Sequence, residues 1–342
     1  MTKDYYEHAI PRYVRFKPHN DLEERIIQVA KSINAKLTPV TWLEGFYSLD
    51  ADIKVGANPY YKQGWFYGMD VSSGVAINAL EIQPSDHVLD LCCAPGTKLR
   101  MIAEMLAKCN GTGTITGVDI AAHRMHTCKS AALRSECNRI RLFLADGTVF
   151  NVPPPSRIGP LILAASEGSI ESSSYLKPFH ASKLIRNDHQ LQIPSHLYDK
   201  VIVDAECTHD GSIAHIAKYN DNNWDGFQAQ FLNPDRLNDL ERLQRMLLEN
   251  GFKHLKEGGI LVYSTCSSSR LQNEDVVDWL LNKYPSARLE RIPDIENVPT
   301  VFNGACATAT DNLCIRMTPE ASKTSGFFVA RIRRTSDQVS SV

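Results

Sequence analysis

The chain has 342 residues, 43% of them hydrophobic and 22% charged, and its 37 Lys and Arg against 39 Asp and Glu give a formal net charge of −2. A chain this long and this apolar buries a sizeable core, which excludes a disordered tail, a collagen-like repeat and a disulfide miniprotein. The near balance of charge excludes a globally polybasic protein, so any contact with nucleic acid has to come from a local patch.

From the N-terminus, residues 21–33 read as a helix, because Leu22, Ile26, Val29 and Ile33 share one face and Asn20 and Asp21 are cap candidates. Residues 1–85 lie outside any regular alternation and are expected to form a small α+β module. From Asp86 onward, short apolar runs alternate with amphipathic stretches, the pattern of a parallel α/β sheet. Strands are expected at residues 88–91, 115–118, 142–144, 201–203 and 260–263, with a late strand at 327–332. Helices are expected from the face of Leu99, Ile102, Ala103 and Leu106, at residues 122–137, and at residues 271–282. Another carries Leu237, Leu240, Leu243 and Leu247, opened by Asn233-Pro234 and stopped by Gly251. Residues 150–196, with Pro153, Pro154, Pro155, several serines and Lys177, His180, Lys183 and Arg186 in no strong period, read as an inserted loop. Residues 335–342 read as a flexible tail.

No segment carries the roughly 20 consecutive apolar residues of a bilayer span. The N-terminus is polar and aromatic, with no charged stub leading into an apolar run, so neither a membrane anchor nor a secretory signal is expected. The nine cysteines read as reduced thiols of an intracellular protein, nuclear or cytoplasmic. His209 and His215 have no partners at metal-ligand spacing, so no metal is expected. Cys109, Cys128, Cys137, Cys306 and Cys314 are assigned to packing.

The first strand of the alternation ends in Asp90-Leu91-Cys92-Cys93-Ala94-Pro95-Gly96-Thr97-Lys98 and runs straight into a helix. A tight turn of small residues brings backbone amides close to a ligand at the carboxyl edge of a sheet. It has neither the G-x-G-x-x-G of a dinucleotide turn nor the G-K-[ST] of a P-loop. Asp119 ends the second strand, where an acid takes ribose hydroxyls, and Asp146 follows the third, near an adenine edge. A turn and two acids at three consecutive strand ends, without phosphate contacts, point to S-adenosylmethionine.

The fourth strand ends in Asp204-Ala205-Glu206-Cys207-Thr208 and the fifth in Tyr263-Ser264-Thr265-Cys266-Ser267. In a doubly wound sheet both ends border the cofactor strand, so the two thiols converge on one crevice. Two thiols and a carboxylate beside a methyl sulfonium suit methylation of cytosine at carbon 5. That carbon is too weak a nucleophile until a thiolate adds at carbon 6, with a carboxyl group near N3 and the amine stabilising the adduct. Loss of the carbon 5 proton then needs a second group. An ordinary thiol, with a pKa of about 8.5, is only a few per cent ionised at neutral pH. Lys98 or the helix start near Leu271 would offset that handicap.

These residues resemble the RsmB/NOP/Sun family of RNA (cytosine-5) methyltransferases over nearly the whole chain apart from residues 150–196. Residues 90–98 are similar to its Asp-Leu-Cys-Ala-Ala-Pro-Gly-Gly-Lys loop and residues 203–207 to its Asp-Ala-Pro-Cys motif. Residues 263–266, with Asn273-Glu274, are similar to its Ser-Thr-Cys motif and the helix start that follows. Pro11-Arg12-Tyr13-Val14-Arg15, residues 68–74 and residues 324–331 resemble further family segments. The resemblance implies a Rossmann-like S-adenosylmethionine-dependent methyltransferase fold over residues 86–334, with an RNA-binding module at residues 1–85. It implies Cys266 as the nucleophile, Cys207 as the group that assists release, Asp204 at the cytosine edge and Lys98 at the base or the cofactor carboxylate. It also implies that Cys92, Cys93, Ala94, Pro95, Gly96, Thr97, Lys98, Asp119, Arg124, Asp146 and Asp204 line the cofactor. RNA is the implied partner, tRNA ahead of rRNA, with the chain acting as a monomer.

Four positions depart from the family pattern: Glu206 replaces a proline, Thr97 a glycine, Met69 a glutamine and Glu320 a histidine. The rival readings are a methyltransferase for proteins or small molecules without covalent catalysis, and a catalytically silent RNA-binding scaffold, to which Glu206 lends weight. Tyr5, Tyr6, Arg12, Tyr13, Arg15, Phe16 and Lys17 interleave aromatics with cations, as single-stranded RNA contacts do; the alternative makes Tyr13 and Phe16 core residues.

Overall fold

Two sheets organise the chain, and the order of their strands decides where a site can form. The computed structural model describes residues 10–107, 111–135, 137–155, 176–186, 197–216, 226, 232–293, 298–299 and 313–336. The first sheet joins β1 (Arg12–Phe16), β2 (Thr38–Pro39), β3 (Phe46–Leu49) and β4 (Phe66–Gly68), antiparallel, in the order β2-β3-β1-β4. Val14, Phe16, Leu49 and Phe66 bury their side chains against Val29 of the helix Leu22–Ile33, whose Leu22, Ile26 and Ile33 cover the same core. Asn34 ends that helix in the left-handed region, while the expected cap Asp21 makes no side-chain cap bond.

Arg15 points the other way from this core. It is buried and ion-paired with Glu104, and it donates to the Tyr67 hydroxyl at 2.7 Å. Arg100 donates to Glu104 at 3.0 Å and to the Gly64 carbonyl at 2.8 Å. Arg15 is therefore a clamp between the first sheet and the helix Thr97–Ala107, and the expectation that it faces RNA is corrected: Glu104, 89 positions away, supplies the counter-charge. Phe16 is core, Tyr13 donates to the Lys323 carbonyl at 2.9 Å, and Arg12 stays exposed. Tyr5 and Tyr6 lie outside the described residues.

The second sheet contains β5 (His87–Asp90), β6 (Thr114–Asp119), β7 (Ile140–Leu144), β8 (His180–Ala181), β9 (Tyr198–Asp204), β10 (Leu255–Thr265), β11 (Ala287–Glu290), β12 (Ile315–Met317) and β13 (Phe327–Arg334). Its order is β11-β13-β10-β9-β5-β6-β7-β8, with β12 paired to β13. Strands β10, β9, β5, β6 and β7 are parallel, and antiparallel strands flank them on both sides. The helices Val71–Asn78, Thr97–Ala107 and Ala122–Arg134 close one face through Val75, Leu99, Ile102 and Met125. The helices Pro234–Lys253 and Glu274–Lys283 close the other through Leu247, Leu248, Phe252, Val276 and Leu280. This is the doubly wound α/β architecture read from the sequence.

The chain winds outward from β5 through β6 to β7, then returns to the opposite side of β5 as β9 and β10. Strand order therefore reverses between β5 and β9, and a crevice opens at the carboxyl ends there. The helix opened by Pro234 is capped as expected, with Asn233 Oδ1 accepting from the Arg236 amide at 2.8 Å, but it runs through Gly251 to Lys253. Gly251 is a packing residue: an added Cβ would sit 3.0 Å from Val203 and 3.1 Å from Val201. Of the expected inserted loop, residues 156–175 and 187–196 lie outside the described residues, as do Cys109, Cys306 and residues 337–342. No helix among the described residues is long and apolar enough to cross a membrane.

Candidate active site

A cleft of about 750 Å³ runs along the carboxyl ends of β5, β6, β7, β9 and β10. Its first half is built by the turn after β5. The Cys93 amide donates to the Val118 carbonyl at 2.9 Å and the Ala94 amide to Asp119 Oδ2 at 3.1 Å, so the turn is fastened to the end of β6. Asp119 Oδ1 accepts from the Ala121 amide at 2.9 Å, and Arg124 donates to the Ala94 carbonyl at 2.6 Å. Gly96, at φ +100°, lets the turn rest on the helix Ala122–Arg134, because a Cβ there would meet Cys128 Cα at 2.9 Å. Asp146 holds its own turn by accepting from the Thr148 amide at 2.8 Å and hydroxyl at 2.7 Å.

Cys92, Ala94, Lys98, Asp119, Arg124, Asp146 and Asp204 line this cleft together. Cys93, Pro95, Gly96 and Thr97 do not reach it. Cys93 is buried with its thiol 3.9 Å from the sulfurs of Met125 and Cys128, Pro95 is exposed, Gly96 lies against Cys128, and Thr97 opens the helix. A turn has two sides, and from residues 91–98 only Leu91, Cys92, Ala94 and Lys98 face the cleft. Beneath the cleft floor, Asp90 is 1% exposed and its Oδ2 has no hydrogen-bond partner. Burial, reinforced by the charge of Asp204, pushes its carboxyl up to about 7.

The second half is built where β9 and β10 end side by side, with Ser264 in register with Asp204. Asp204 accepts from Lys98 at 2.6 Å and from the Ser264 hydroxyl at 2.8 Å. Burial works against the Lys98 ammonium, and the Asp204 carboxylate more than offsets it. Just beyond, Cys207 Sγ lies 3.2 Å from Cys266 Sγ. Cys266 lines the cleft, whereas Cys207 is fully buried behind it. His209 Nδ1 sits 3.0 Å from Cys266 Sγ and 3.7 Å from Cys207 Sγ.

The two sulfurs and the imidazole are close enough to exchange protons with one another. Burial alone would raise the Cys207 thiol, but hydrogen bonds from Cys266 and His209 pull it down to about 6. Cys266, hydrogen-bonded to that sulfur and itself buried, is pushed well up. Burial lowers the His209 value and contact with Cys207 raises it more, for a net rise.

A polar network fixes this end of the site. Asp210 accepts from the hydroxyls of Thr208, Ser267 and Ser268, Thr208 donates its amide to Gln272 at 3.1 Å, and Gln244 donates to the Glu206 carbonyl at 2.7 Å. The Glu206 carboxylate accepts from Arg236 at 2.9 Å, so the residue at the proline position aims its charge at a surface arginine.

A family profile described as 16S rRNA methyltransferase RsmB/F matches residues 77–155 and 179–333. The chain belongs to the RsmB/F methyltransferase family. Members of this family are S-adenosylmethionine-dependent methyltransferases. The chain is 28% identical to ribosomal RNA small subunit methyltransferase F of Klebsiella pneumoniae over 307 residues, which is 88% of this chain and 52% of that protein. The same enzyme of Shewanella sediminis is 28% identical over 309 residues, again 88% of this chain and 52% of the relative. The chain thus spans about half the length of these relatives. Two solved structures from Pyrococcus horikoshii share the fold of this chain. NSun6 with SFG has a TM-score of 0.69 at 18% identity, covering 98% of this chain and 93% of that one. A methyltransferase homologue has a TM-score of 0.68 at 23% identity, covering 97% and 88%.

Three groups escaped sequence reasoning. In the sequence His209 shows only as a metal-ligand type without partners at ligand spacing, because its thiol contact Cys266 comes from a strand 57 positions away. Asp70, which caps the helix Val71–Asn78, accepts from the Ser325 amide at 3.2 Å, and both line the cleft. Ile120 is 72% exposed inside the cleft, an apolar surface that its place directly after Asp119 could have flagged.

Proposed function

We propose that this chain methylates carbon 5 of a cytosine in RNA, with S-adenosylmethionine as donor and Cys266 as a transient covalent partner of the base. The observation that carries this reading is the pair of thiols 3.2 Å apart, one facing the cleft and one behind it, beside the Asp204–Lys98 ion pair. A thiol facing the cleft can serve as a nucleophile and the one behind it as a base, the two roles that covalent methylation at carbon 5 requires.

The cleft residues fit the cofactor. Each Asp119 oxygen accepts one backbone amide and, with two lone pairs, has room for a ribose hydroxyl. The exposed face of Ile120 suits an adenine ring, and the uncompensated Asp90 oxygen beneath the floor suits a nearby ammonium. When bound, S-adenosylmethionine supplies an electrophilic methyl group on a sulfonium. Asp204, held between Lys98 and Ser264, offers an acceptor to the cytosine amino group and sets the ring over Cys266. The Cys266 thiolate bonds to carbon 6, which makes carbon 5 nucleophilic enough to take the methyl group. Cys207 then removes the carbon 5 proton, and the electron pair left behind restores the ring double bond and expels Cys266.

Target cytosine has to leave its stack to reach these groups, at a cost of a few kcal/mol. Names of the relatives favour ribosomal RNA over tRNA as the substrate. Glu206, turned to Arg236, gives no support to the silent-scaffold reading. The test is incubation of the chain with methyl-labelled S-adenosylmethionine and either rRNA or tRNA, with nucleoside analysis of the product. Label in 5-methylcytosine from rRNA is expected. Bound cofactor without any labelled cytosine would refute the reading.

A further inference from the structure

His209 is a strange residue for its position. Its backbone sits at φ +56°, a left-handed conformation that costs any side chain with a Cβ energy and costs glycine none. The surrounding network over-determines the loop: Ser212 donates its amide to the His209 carbonyl at 2.9 Å, and Asp210 is held by Thr208, Ser267 and Ser268. What the strained backbone delivers is an imidazole within 3.0 Å of Cys266 Sγ and 3.7 Å of Cys207 Sγ, at the wall of the cleft.

We propose that His209 is the proton carrier of the thiol pair, taking the Cys266 proton so that the resulting thiolate attacks the base. The proposal rests on the reading of Cys266 as nucleophile. In the resting site the two sulfurs share one proton. That proton passes from Cys266 Sγ to His209 Nδ1, leaving a thiolate and an imidazolium. The Cys266 sulfur forms its bond to carbon 6, and carbon 5 takes the methyl group. The carbon 5 proton leaves to the Cys207 thiolate, the ring double bond re-forms and the Cys266–carbon 6 bond breaks. The imidazolium gives its proton to water in the cleft, and the sulfurs again share one proton. One proton leaves per turnover, the one that carbon 5 lost.

The charged and titratable groups around the ring come from four elements. Cys207, Glu206 and Asp204 stand at the end of β9 and Cys266 at the end of β10. His215 on the helix Ile213–Ile216 lies against it with the rings tilted and their centroids 4.6 Å apart, and Lys98 acts on Cys266 from beside Asp204. The carboxylates and the Cys207 sulfur favour the imidazolium, and burial opposes it.

The test needs no RNA in its first arm. The full chain is treated with iodoacetamide from pH 5 to 10 and alkylation of Cys266 is followed by peptide mass. The contact with Cys207 and burial push the Cys266 thiol well up, so wild-type reactivity at pH 7 is expected to depend on the base beside it. In His209→Gly reactivity should be about 10-fold lower at pH 7, with the gap closing as rising pH ionises the thiol unaided. Glycine suits φ +56°, so thermal unfolding should be unchanged or raised. His209→Asn, which also tolerates that backbone but carries no basic nitrogen, should behave like the glycine variant. An unchanged profile, or an equal loss at every pH, overturns the proposal. So does wild-type reactivity that a chelator restores, which would give the three donors to a metal ion.

The second arm uses rRNA transcribed with 5-fluorocytidine, from which carbon 5 cannot lose a proton, so the adduct accumulates. Trapping by the wild type, with His209→Gly slowed about 100-fold at pH 7 and rescued by added imidazole, is the expected result. Trapping equally fast in both overturns the relay alone. A wild type that never traps overturns the proposed function and the relay with it.

Discussion

The two halves of the cleft are built by different means. At the ends of β5, β6 and β7, Asp119 is satisfied by the Ala121 amide of its own turn and the Ala94 amide of the turn after β5, and Asp146 by the amide and hydroxyl of Thr148 in its own turn. At the ends of β9 and β10, the groups assigned to the reaction are held by a long-range side-chain network, with a strained His209, two sulfurs 3.2 Å apart and an ion pair at 2.6 Å. A half that only binds can be made from local turns and left at low energy. A half that moves protons and makes bonds concentrates the perturbed groups. Asp90, beneath the boundary between them, belongs to the binding half by position and to the perturbed group by its raised carboxyl.

If the halves are separable, Cys266→Ala should abolish formation of 5-methylcytosine by about four orders of magnitude or more while leaving cofactor affinity, read by calorimetry, unchanged. Loss of both would join the halves into one unit. Asp90→Asn should do the reverse and weaken cofactor binding. It should also flatten the dependence of stability on pH. The folded carboxyl titrates at about 7, above the ordinary aspartate value of 3.8, so the folded state holds the extra proton between those values. Stability of the cofactor-free wild type therefore falls as pH rises through that window, by on the order of 4 kcal/mol from this group, and Asn removes that slope. Urea unfolding at pH 5 and pH 8 measures both chains.

Smaller effects are expected at the supports. Gly96→Ala places a methyl group 2.9 Å from Cys128 Cα at φ +100° and should destabilise the chain by about 3 kcal/mol, with Cys266 alkylation at neutral pH little altered. Glu206→Gln, which breaks a half-exposed pair with Arg236, should change stability by less than about 1 kcal/mol. It should leave methylation near the wild-type rate. A large loss of activity would show that the carboxylate acts on His209 in place of the surface arginine.

How far the sequence could be read follows the same division. The turn after β5, the acids after β6 and β7 and the thiols after β9 and β10 each sit in a short run where chemistry and strand end coincide, so each was legible. Residues whose role is decided by a distant partner were not. Arg15 read as an RNA-facing cation because nothing nearby announces Glu104. Cys93 read as a cofactor residue because the motif does not say which side of the turn a residue takes, and Met125 and Cys128 turn it inward. Gly251 read as a helix stop because its contacts, Val201 and Val203, lie on another element. Strands β2, β8, β11 and β12, of two to four residues, are too short to show a period.

The most direct test of the account is the covalent bond itself. The Cys207→Ala chain, incubated with S-adenosylmethionine and substrate rRNA and digested with ribonuclease and protease, should yield a Cys266 peptide heavier by a methylated cytidine nucleotide. That species should vanish when Cys266 is also replaced by alanine. A nucleotide-bearing peptide that persists in Cys266→Ala, or one that maps to Cys207 in the wild type, would contradict the assignment of nucleophile and release group.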